Sequence, residues 1–187
     1  MTAQILVGLY GPAGSGKDSV ADILEKDFHF SRYALALPIK HGLNAMFNWQ
    51  MEQWNNREWK EAEIDWLGKS PRVLAQTLGT EWGRHHVNPD LWLRLGLRKW
   101  DEVRMSASPR MVITDVRFDN EAQAILDMGG TVWRVERSEV GPVATHVSEN
   151  GISQALIVGK VKNHGSLDDL KVTVHEWMQM LRKRYST

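Results

Sequence analysis

The sequence contains no cysteine, which excludes disulfide bonds and thiolate metal sites. It also lacks an excess of either charge, because 23 Lys and Arg residues balance 23 Asp and Glu residues. A nucleic-acid polymer or an anionic membrane surface is therefore not expected as the main partner. No apolar run approaches the roughly 20 residues that a membrane span needs, and the N-terminus shows no signal-peptide pattern. We expect a cytoplasmic protein.

Tyrosine and phenylalanine are scarce, with three and four residues, whereas tryptophan occurs nine times in 187 residues. Seven of the nine tryptophans lie between Trp49 and Trp100, so the middle of the chain differs in composition from its beginning. The length suits one domain with a substantial core and room for a small inserted lobe. We therefore expect a single domain, 1–187, with a distinct middle segment.

Residues 11–17 form a glycine-rich motif, Gly-Pro-Ala-Gly-Ser-Gly-Lys, which follows an apolar run and precedes a helical pattern. This is the G-x-x-x-x-G-K phosphate-binding loop in its strand–loop–helix context. Glycines let several backbone N–H groups point at a polyphosphate, and the helix N-terminus favours negative charge. Lys17 would act as the catalytic cation at the β- and γ-phosphates. The predicted nucleoside triphosphate site consists of Gly11, Ala13, Gly14, Ser15, Gly16, Lys17, Asp18 and Ser19.

The residue after the motif lysine is unusual, because Asp18 stands where Ser or Thr normally reaches Mg²⁺. A carboxylate is a good Mg²⁺ ligand, but it also adds negative charge beside a polyphosphate. Two interpretations stay open. Either Asp18 holds Mg²⁺, directly or through water, while Ser19 supplies a hydroxyl, or Asp18 only caps the following helix.

Predicted strands alternate with predicted helices along the rest of the chain. The further strands are expected at 28–37, 111–115, 131–136 and 155–161, and helix starts at Ser70-Pro71 and Ser166. This order predicts an α/β fold with a five-stranded parallel sheet and helices on both faces. Ligands bind beyond the carboxyl ends of the strands in such sheets.

Two more candidate groups follow predicted strands. Asp115 ends a buried strand, where it could orient the Mg²⁺ shell or accept a proton, or could simply cap the next helix. Arg117 would lie on the rim of the site. Residues 137–153 show no periodicity, which predicts a lid loop. Arg137 could bring positive charge from that loop to the transferring phosphoryl group.

Arg72, Gln76, Thr80 and Arg84 recur every four residues on one predicted helix, whose opposite side carries Leu74, Leu78 and Trp82. Two arginines on one surface can form a fork-shaped receptor for a phosphate monoester. The alternative is a solvated helix face with internal ion pairs.

Five segments together resemble the deoxynucleoside monophosphate kinases of bacteriophages, a branch of the P-loop nucleotide kinases. Residues 16–19 are similar to that family's G-K-D-[ST] loop ending, and 38–40 look like its P-L-K segment. Residues 72–84 are similar to R-x-L-x-Q-x-x-G-T-E-x-x-R, and 115–122 to D-x-R-F-x-N-E-A. Residues 163–170 match N-x-G-[ST]-L-x-x-L.

The resemblance implies a three-layer P-loop NTPase fold with a helical monophosphate-binding lobe over 40–100 and a lid at 137–153. It implies ATP- and Mg²⁺-dependent phosphorylation of a deoxynucleoside 5′-monophosphate, in the host cytoplasm if the protein is of phage origin. It leaves open the accepted bases, the sugar preference and whether the protein forms a homodimer. The implied substrate-binding residues are Lys40, Arg72, Gln76, Arg84, Trp92, Arg117, Asn120 and Glu121.

Two rival functions share parts of this pattern. A P-loop kinase for another small phosphate monoester, such as phosphomevalonate, would have the same loop and paired arginines. An ATP-binding switch that hydrolyses slowly would have the loop, but it would form no phosphorylated small product.

Overall fold

The fold is built around a parallel sheet of five strands in a computed structural model that describes residues 3–137 and 151–184. The strand order is β2-β3-β1-β4-β5, and all neighbours are parallel. The predicted five-stranded parallel sheet is therefore confirmed. The strands are β1 (Ile5–Tyr10), β2 (Ser31–Tyr33), β3 (Arg110–Ile113), β4 (Thr131–Glu136) and β5 (Gly159–Lys162).

Seven α-helices occur in the described part of the chain, together with shorter segments of other helical types. The α-helices are α1 (Lys17–Phe28), α2 (Leu37–Phe47), α3 (Arg57–Glu61), α4 (Pro71–Gln76), α5 (Leu91–Arg104), α6 (Asp119–Asp127) and α7 (Leu167–Arg184). Two 3₁₀ segments lie at Met51–Asn55 and Gln154–Leu156, and Thr77–Val87 is π-helical. Among these residues, no helix combines the length and apolar character that crossing a membrane requires.

The sheet is covered on both faces, as predicted. Alternate residues of β1 point to opposite faces, so Ile5, Val7 and Leu9 pack in one core with α1 and α7. On the other face, Gly8 lies against α6, where a Cβ atom at Gly8 would stand 2.7 Å from Ile125 Cδ1. The central strand is thus buried on both sides, as is typical of parallel sheets.

Two helix starts predicted from sequence are confirmed by their hydrogen bonds. The Ser70 hydroxyl accepts a hydrogen bond from the Val73 N–H at 3.4 Å, and Pro71 is the first residue of α4. Before α7, the Asp169 carboxylate accepts the Ser166 N–H at 2.8 Å, and the Ser166 hydroxyl accepts the Asp169 N–H at 3.2 Å. This reciprocal pair is a capping box.

Three predicted strands were wrong in extent. The strand expected at 111–115 is Arg110–Ile113. The strand expected at 28–37 is only Ser31–Tyr33, and Pro38 lies in the first turn of α2. Proline fits there because the first helical N–H groups have no intrahelical partner. The strand expected at 155–161 is Gly159–Lys162, preceded by a 3₁₀ turn. The strand predicted at 131–136 coincides with β4.

The helix after Ser70 is α-helical to Gln76 and continues as the π-helical segment Thr77–Val87. Trp82, predicted to be buried, is 49% exposed. The buried positions are Gly79 and Gly83, and a Cβ atom at Gly83 would lie 2.4 Å from Trp92 Cζ2. The missing side chain of Gly83 therefore allows Trp92 of α5 to pack directly on this helix.

The chain divides into two compact units. Residues 35–95 form one, and Met1–Ala34 with Gly96–Thr187 form the other. The smaller unit contains α2, α3, α4, the π-helical segment and the first residues of α5, so it is helical. Its bounds are 35–95, whereas the sequence predicted a lobe at 40–100. Most of the predicted lid, residues 138–150, lies outside the described residues.

Candidate active site

The phosphate-binding loop joins β1 to α1 in a conformation that depends on glycine. Gly16 has a φ of 99°, and a Cβ atom there would lie 2.2 Å from Asn163 Nδ2. A Cβ atom at Gly11 would lie 2.4 Å from the Val135 carbonyl oxygen. The Asn163 side chain donates a hydrogen bond to the Ser15 carbonyl oxygen at 2.9 Å. Asn163 directly follows β5, so this hydrogen bond joins the phosphate-binding loop to the carboxyl end of β5.

Lys17 lies across this loop. Its ammonium donates hydrogen bonds to the carbonyl oxygens of Gly11 at 2.7 Å and Pro12 at 2.8 Å. Burial lowers the pKa of Lys17, and the positive charge of Arg117 lowers it further, whereas the carboxylates of Asp18 and Asp115 oppose this shift. The charges of Asp18, Asp115 and Arg117 therefore all act on Lys17.

The loop has the features that a bound polyphosphate requires. Gly16 is the N-cap of α1 and has no side chain, so it leaves the first N–H groups of the helix to other partners. Ser15 is fully buried, and among the described residues its hydroxyl has no hydrogen-bond partner. Oxyanions bind well at such helix N-termini. These residues fit the triphosphate of a nucleotide.

Asp18 does not cap α1, so that interpretation was wrong. Its carboxylate binds the guanidinium of Arg32, and within the described residues it makes no hydrogen bond to the N–H groups of the helix. The described part of the chain contains no group of three or more His, Cys, Asp or Glu side chains that could hold a metal. The metal-binding roles of Asp18 and Ser19 stay predictions.

The start of α6 is capped by Glu121, and the role of Asp115 stays a prediction. Glu121 Oε2 accepts the N–H groups of Arg117 at 2.8 Å and Phe118 at 3.2 Å. Glu121 is 2% exposed, so its predicted place on the rim as a substrate ligand was wrong. It instead fixes the backbone of the segment that carries Arg117. This segment is also held by a hydrogen bond from the Val116 N–H to the Leu9 carbonyl oxygen at 3.2 Å.

The smaller unit contains a group of basic side chains beside a cluster of aromatic rings. Lys40 Nζ lies 5.9 Å from the centre of the Trp54 ring, and Arg72 Nε donates to Glu61 Oε1 at 2.6 Å. Burial lowers the pKa of Lys60, and the positive charges of Arg72 and Lys40 lower it further. The positive charges of Lys40 and Arg72 therefore act on Lys60, and these three residues are here called the cation cluster.

The aromatic rings beside the cation cluster pack edge to face. Trp54 is buried, and its ring centre lies 5.9 Å from that of Trp49 and 5.3 Å from that of Trp59. Trp54 Nε1 also donates to Asn44 Oδ1 at 2.8 Å. This packing connects α2 and α3, on which Lys40 and Lys60 stand.

Sequence reasoning missed Lys60 and Asn163. Lys60 lies in the polar stretch 48–69, in which no motif or periodicity distinguishes it from the other polar residues. Asn163 belongs to a segment whose resemblance was recognised, but its contact with the loop depends on tertiary structure.

The other predicted substrate ligands lie outside the cation cluster. Trp92 is 5% exposed, and its Nε1 donates to the Gly79 carbonyl oxygen at 2.7 Å. The prediction that Trp92 binds substrate was wrong, because its ring belongs to the core. Gln76 ends α4, and Arg84 lies in the π-helical segment. Their roles stay predictions, as do those of the exposed residues Arg117, Asn120 and Arg137.

The fold agrees with those of solved P-loop kinases. The shikimate kinase of Aquifex aeolicus superposes with a TM-score of 0.55, covering 96% of this chain and 98% of that one, at 12% identity. At this identity the likeness concerns the fold alone, and it confirms the predicted P-loop NTPase architecture.

Sequence comparison identifies the family. A protein of Acanthamoeba polyphaga mimivirus, named as a deoxynucleotide monophosphate kinase, is 34% identical over 78% of this chain and 81% of its own. The deoxynucleoside-5′-monophosphate kinase of Escherichia phage T5 is 26% identical over 95% of this chain and 97% of its own. The family model for deoxynucleotide monophosphate kinase matches residues 5–70 and 68–174. The chain therefore belongs to the deoxynucleotide monophosphate kinase family.

Proposed function

We propose that this protein transfers the γ-phosphoryl group of ATP to the 5′-phosphate of a deoxynucleoside monophosphate, forming ADP and the deoxynucleoside diphosphate. The observation that carries this proposal is the arrangement of Lys17 across the glycine loop. Family membership and the names of the two viral relatives support the choice of acceptor.

On the donor side, the loop N–H groups and Lys17 would hold the β- and γ-phosphates. Mg²⁺ bound with ATP would neutralise charge on these phosphates. Ser19 and Asp115 offer the oxygen atoms that Mg²⁺ prefers, and they would hold it directly or through water. Because few carboxylates gather here, phosphate oxygens and water would complete the shell.

On the acceptor side, the cation cluster would hold the 5′-phosphate. The Nε of Arg72 is bound to Glu61, an arrangement that orients the guanidinium and leaves its two terminal nitrogens able to form a fork to a phosphate. Lys40 and Lys60 add two positive charges. Their mutual repulsion would be relieved by a bound dianion. Gln76 and Arg84 are further candidates for this part of the site.

The reaction itself is an in-line displacement. An oxygen of the acceptor phosphate forms a bond to the γ-phosphorus while the bond from that phosphorus to the β–γ bridging oxygen breaks. The electron pair of the broken bond goes to ADP. The acceptor phosphate is already ionised, so the reaction needs no strong base. Asp115 would therefore orient water or the metal, and Arg137 and Arg117 would place positive charge near the transferring group.

The test is a panel of acceptors with purified protein, ATP and Mg²⁺. The four deoxynucleoside monophosphates, the matching ribonucleotides, phosphomevalonate and a sample without acceptor are compared by ADP release and by chromatography of the products. We expect at least one deoxynucleoside diphosphate to form, and Lys17→Ala to abolish it. ADP release without acceptor would instead indicate an ATP-binding switch. A product from phosphomevalonate alone would refute the proposed acceptor.

A further inference from the structure

Arg32 on β2 binds three carboxylates of α1. Its guanidinium contacts Asp18, approaches Asp22 Oδ1 at 2.7 Å and lies 3.5 Å from Glu25 Oε2. These carboxylates are four and three residues apart, so they share one face of the helix. One guanidinium thus lies beside three carboxylates, and the first of them, Asp18, is next to the phosphate-binding loop.

The first of these carboxylates stands in a special position. Asp18 directly follows Lys17, and its negative charge acts on the Lys17 ammonium. A carboxylate there would also repel the phosphates of a bound nucleotide. Both groups are negatively charged, and the repulsion is strong at short distance and low local dielectric constant. The usual Ser or Thr at this position carries no such charge.

A purely structural role explains the pairing poorly. The Asp18 side chain is 86% exposed, and ion pairs as exposed as this one contribute little to stability. Asp22, at 52% exposure, offers Arg32 a less exposed partner. The contact with Asp18 is therefore better explained by its effect on the neighbouring loop.

We propose that Arg32 is a positioning residue for nucleotide binding, which holds the Asp18 carboxylate on the side of α1 and neutralises it. Arg32 thereby allows the loop to accept a polyphosphate beside an aspartate. The inference rests on the proposed binding of ATP and ADP at this loop, and it does not depend on the identity of the acceptor.

The test is the affinity of the full chain for ADP in the presence of EDTA, measured by isothermal titration calorimetry. We expect Arg32→Gln to raise the Kd about three- to tenfold. In the Asp18→Asn background, the same substitution should change the Kd less than about twofold, because no carboxylate is left beside the loop to be neutralised. Asp22→Asn is the matched control, since it removes another partner of Arg32 one turn away, and its Kd should stay close to that of the wild type.

Two results would overturn the inference. Arg32→Gln could leave the Kd unchanged, or it could weaken binding by the same factor with Asp18 and with Asn at position 18. The second result would make Arg32 a general cation rather than a partner of Asp18. If Arg32→Gln does not fold, Arg32→Met replaces it, with the same expected rise in the Kd for ADP and the same loss of the effect in the Asp18→Asn background.

Failure of the proposed function would look different. Suppose that the wild type binds ADP, that Arg32→Gln weakens this binding only when Asp18 is present, and that no deoxynucleoside monophosphate is phosphorylated. The proposed acceptor is then wrong and the role of Arg32 stands. If the wild type is an active kinase and the Arg32 variants bind ADP normally, only the inference about Arg32 is wrong.

Discussion

Replacing Asn163 by alanine should weaken ATP binding without altering the acceptor site. The substitution removes one hydrogen bond, from Asn163 Nδ2 to the Ser15 carbonyl oxygen at 2.9 Å. This is a neutral bond of ordinary length, which is worth about 1 kcal/mol net. If the bond holds the loop in the conformation that binds nucleotide, losing it raises the KM for ATP about fivefold, since about 1.4 kcal/mol corresponds to a factor of ten.

The assay measures initial rates against ATP at saturating deoxynucleoside monophosphate, and then against the monophosphate at saturating ATP. We expect a change in the first KM and none in the second. Asn56→Ala is the matched control, because Asn56 Oδ1 accepts the Trp59 N–H at 3.1 Å at the start of α3. Losing this cap should cost about 1 kcal/mol of stability while leaving the KM for ATP unchanged. The reasoning is refuted if Asn163→Ala lowers the melting temperature as Asn56→Ala does but leaves the KM for ATP within twofold.

Three further predictions concern other parts of the molecule. Lys60→Gln should raise the KM for the monophosphate about tenfold or more, with little change in that for ATP, because a hydrogen bond to a charged group is worth about 1.5–3 kcal/mol. Gly83→Ala should lower the melting temperature by several degrees, since its Cβ would stand 2.4 Å from Trp92 Cζ2 and overpacking costs about 1–3 kcal/mol. Hydrogen bonds from Ser166 lower the pKa of Asp169, so its stabilising contribution is present above the unfolded pKa of about 4 and is lost as the pH falls through the lower folded pKa. Asp169→Asn should therefore flatten the dependence of the melting temperature on pH below about pH 4.

Each of these predictions has an outcome that contradicts it. If Lys60→Gln and Lys60→Arg both leave the KM for the monophosphate unchanged, Lys60 does not belong to the acceptor site. A Gly83→Ala variant as stable as the wild type would mean that α5 can move away from the π-helical segment at no cost. Parallel melting curves for wild type and Asp169→Asn between pH 5 and 3 would show that the capping box contributes no acid-dependent stability.

The parts of the fold that were predictable from sequence are those with local causes. The start of α7 is predictable because a Ser and an Asp stand three residues apart. β4 is predictable because a short, mostly apolar run lies between two glycines and a charged residue. The end of β2 has no such local signal. Proline at position 38 suits a strand end as well as the first turn of a helix, and only the tertiary structure decides between them.

The predictable part of the candidate site is likewise the part defined by short spacing. The glycine loop and Lys17 are recognisable from seven consecutive residues. Glu121 and Trp92 were misassigned because a motif shows that a residue matters without showing whether it touches substrate or supports the backbone. The pairing of Asp18 with Arg32 connects residues on different elements, and no spacing rule predicts it.

The order of strands also constrains how the protein is made. The hydrogen-bonded neighbours of β1 come late in the chain, since Ile5 pairs with Arg110 and Val7 with Thr131. About 100 residues, including the whole smaller unit, must therefore leave the ribosome before the central strand can pair. At about 5–20 residues per second, the apolar segment Ile5–Tyr10 waits roughly 5–20 s without a partner strand. During that interval Ile5–Tyr10 is an unpaired apolar segment, which is exposed to aggregation.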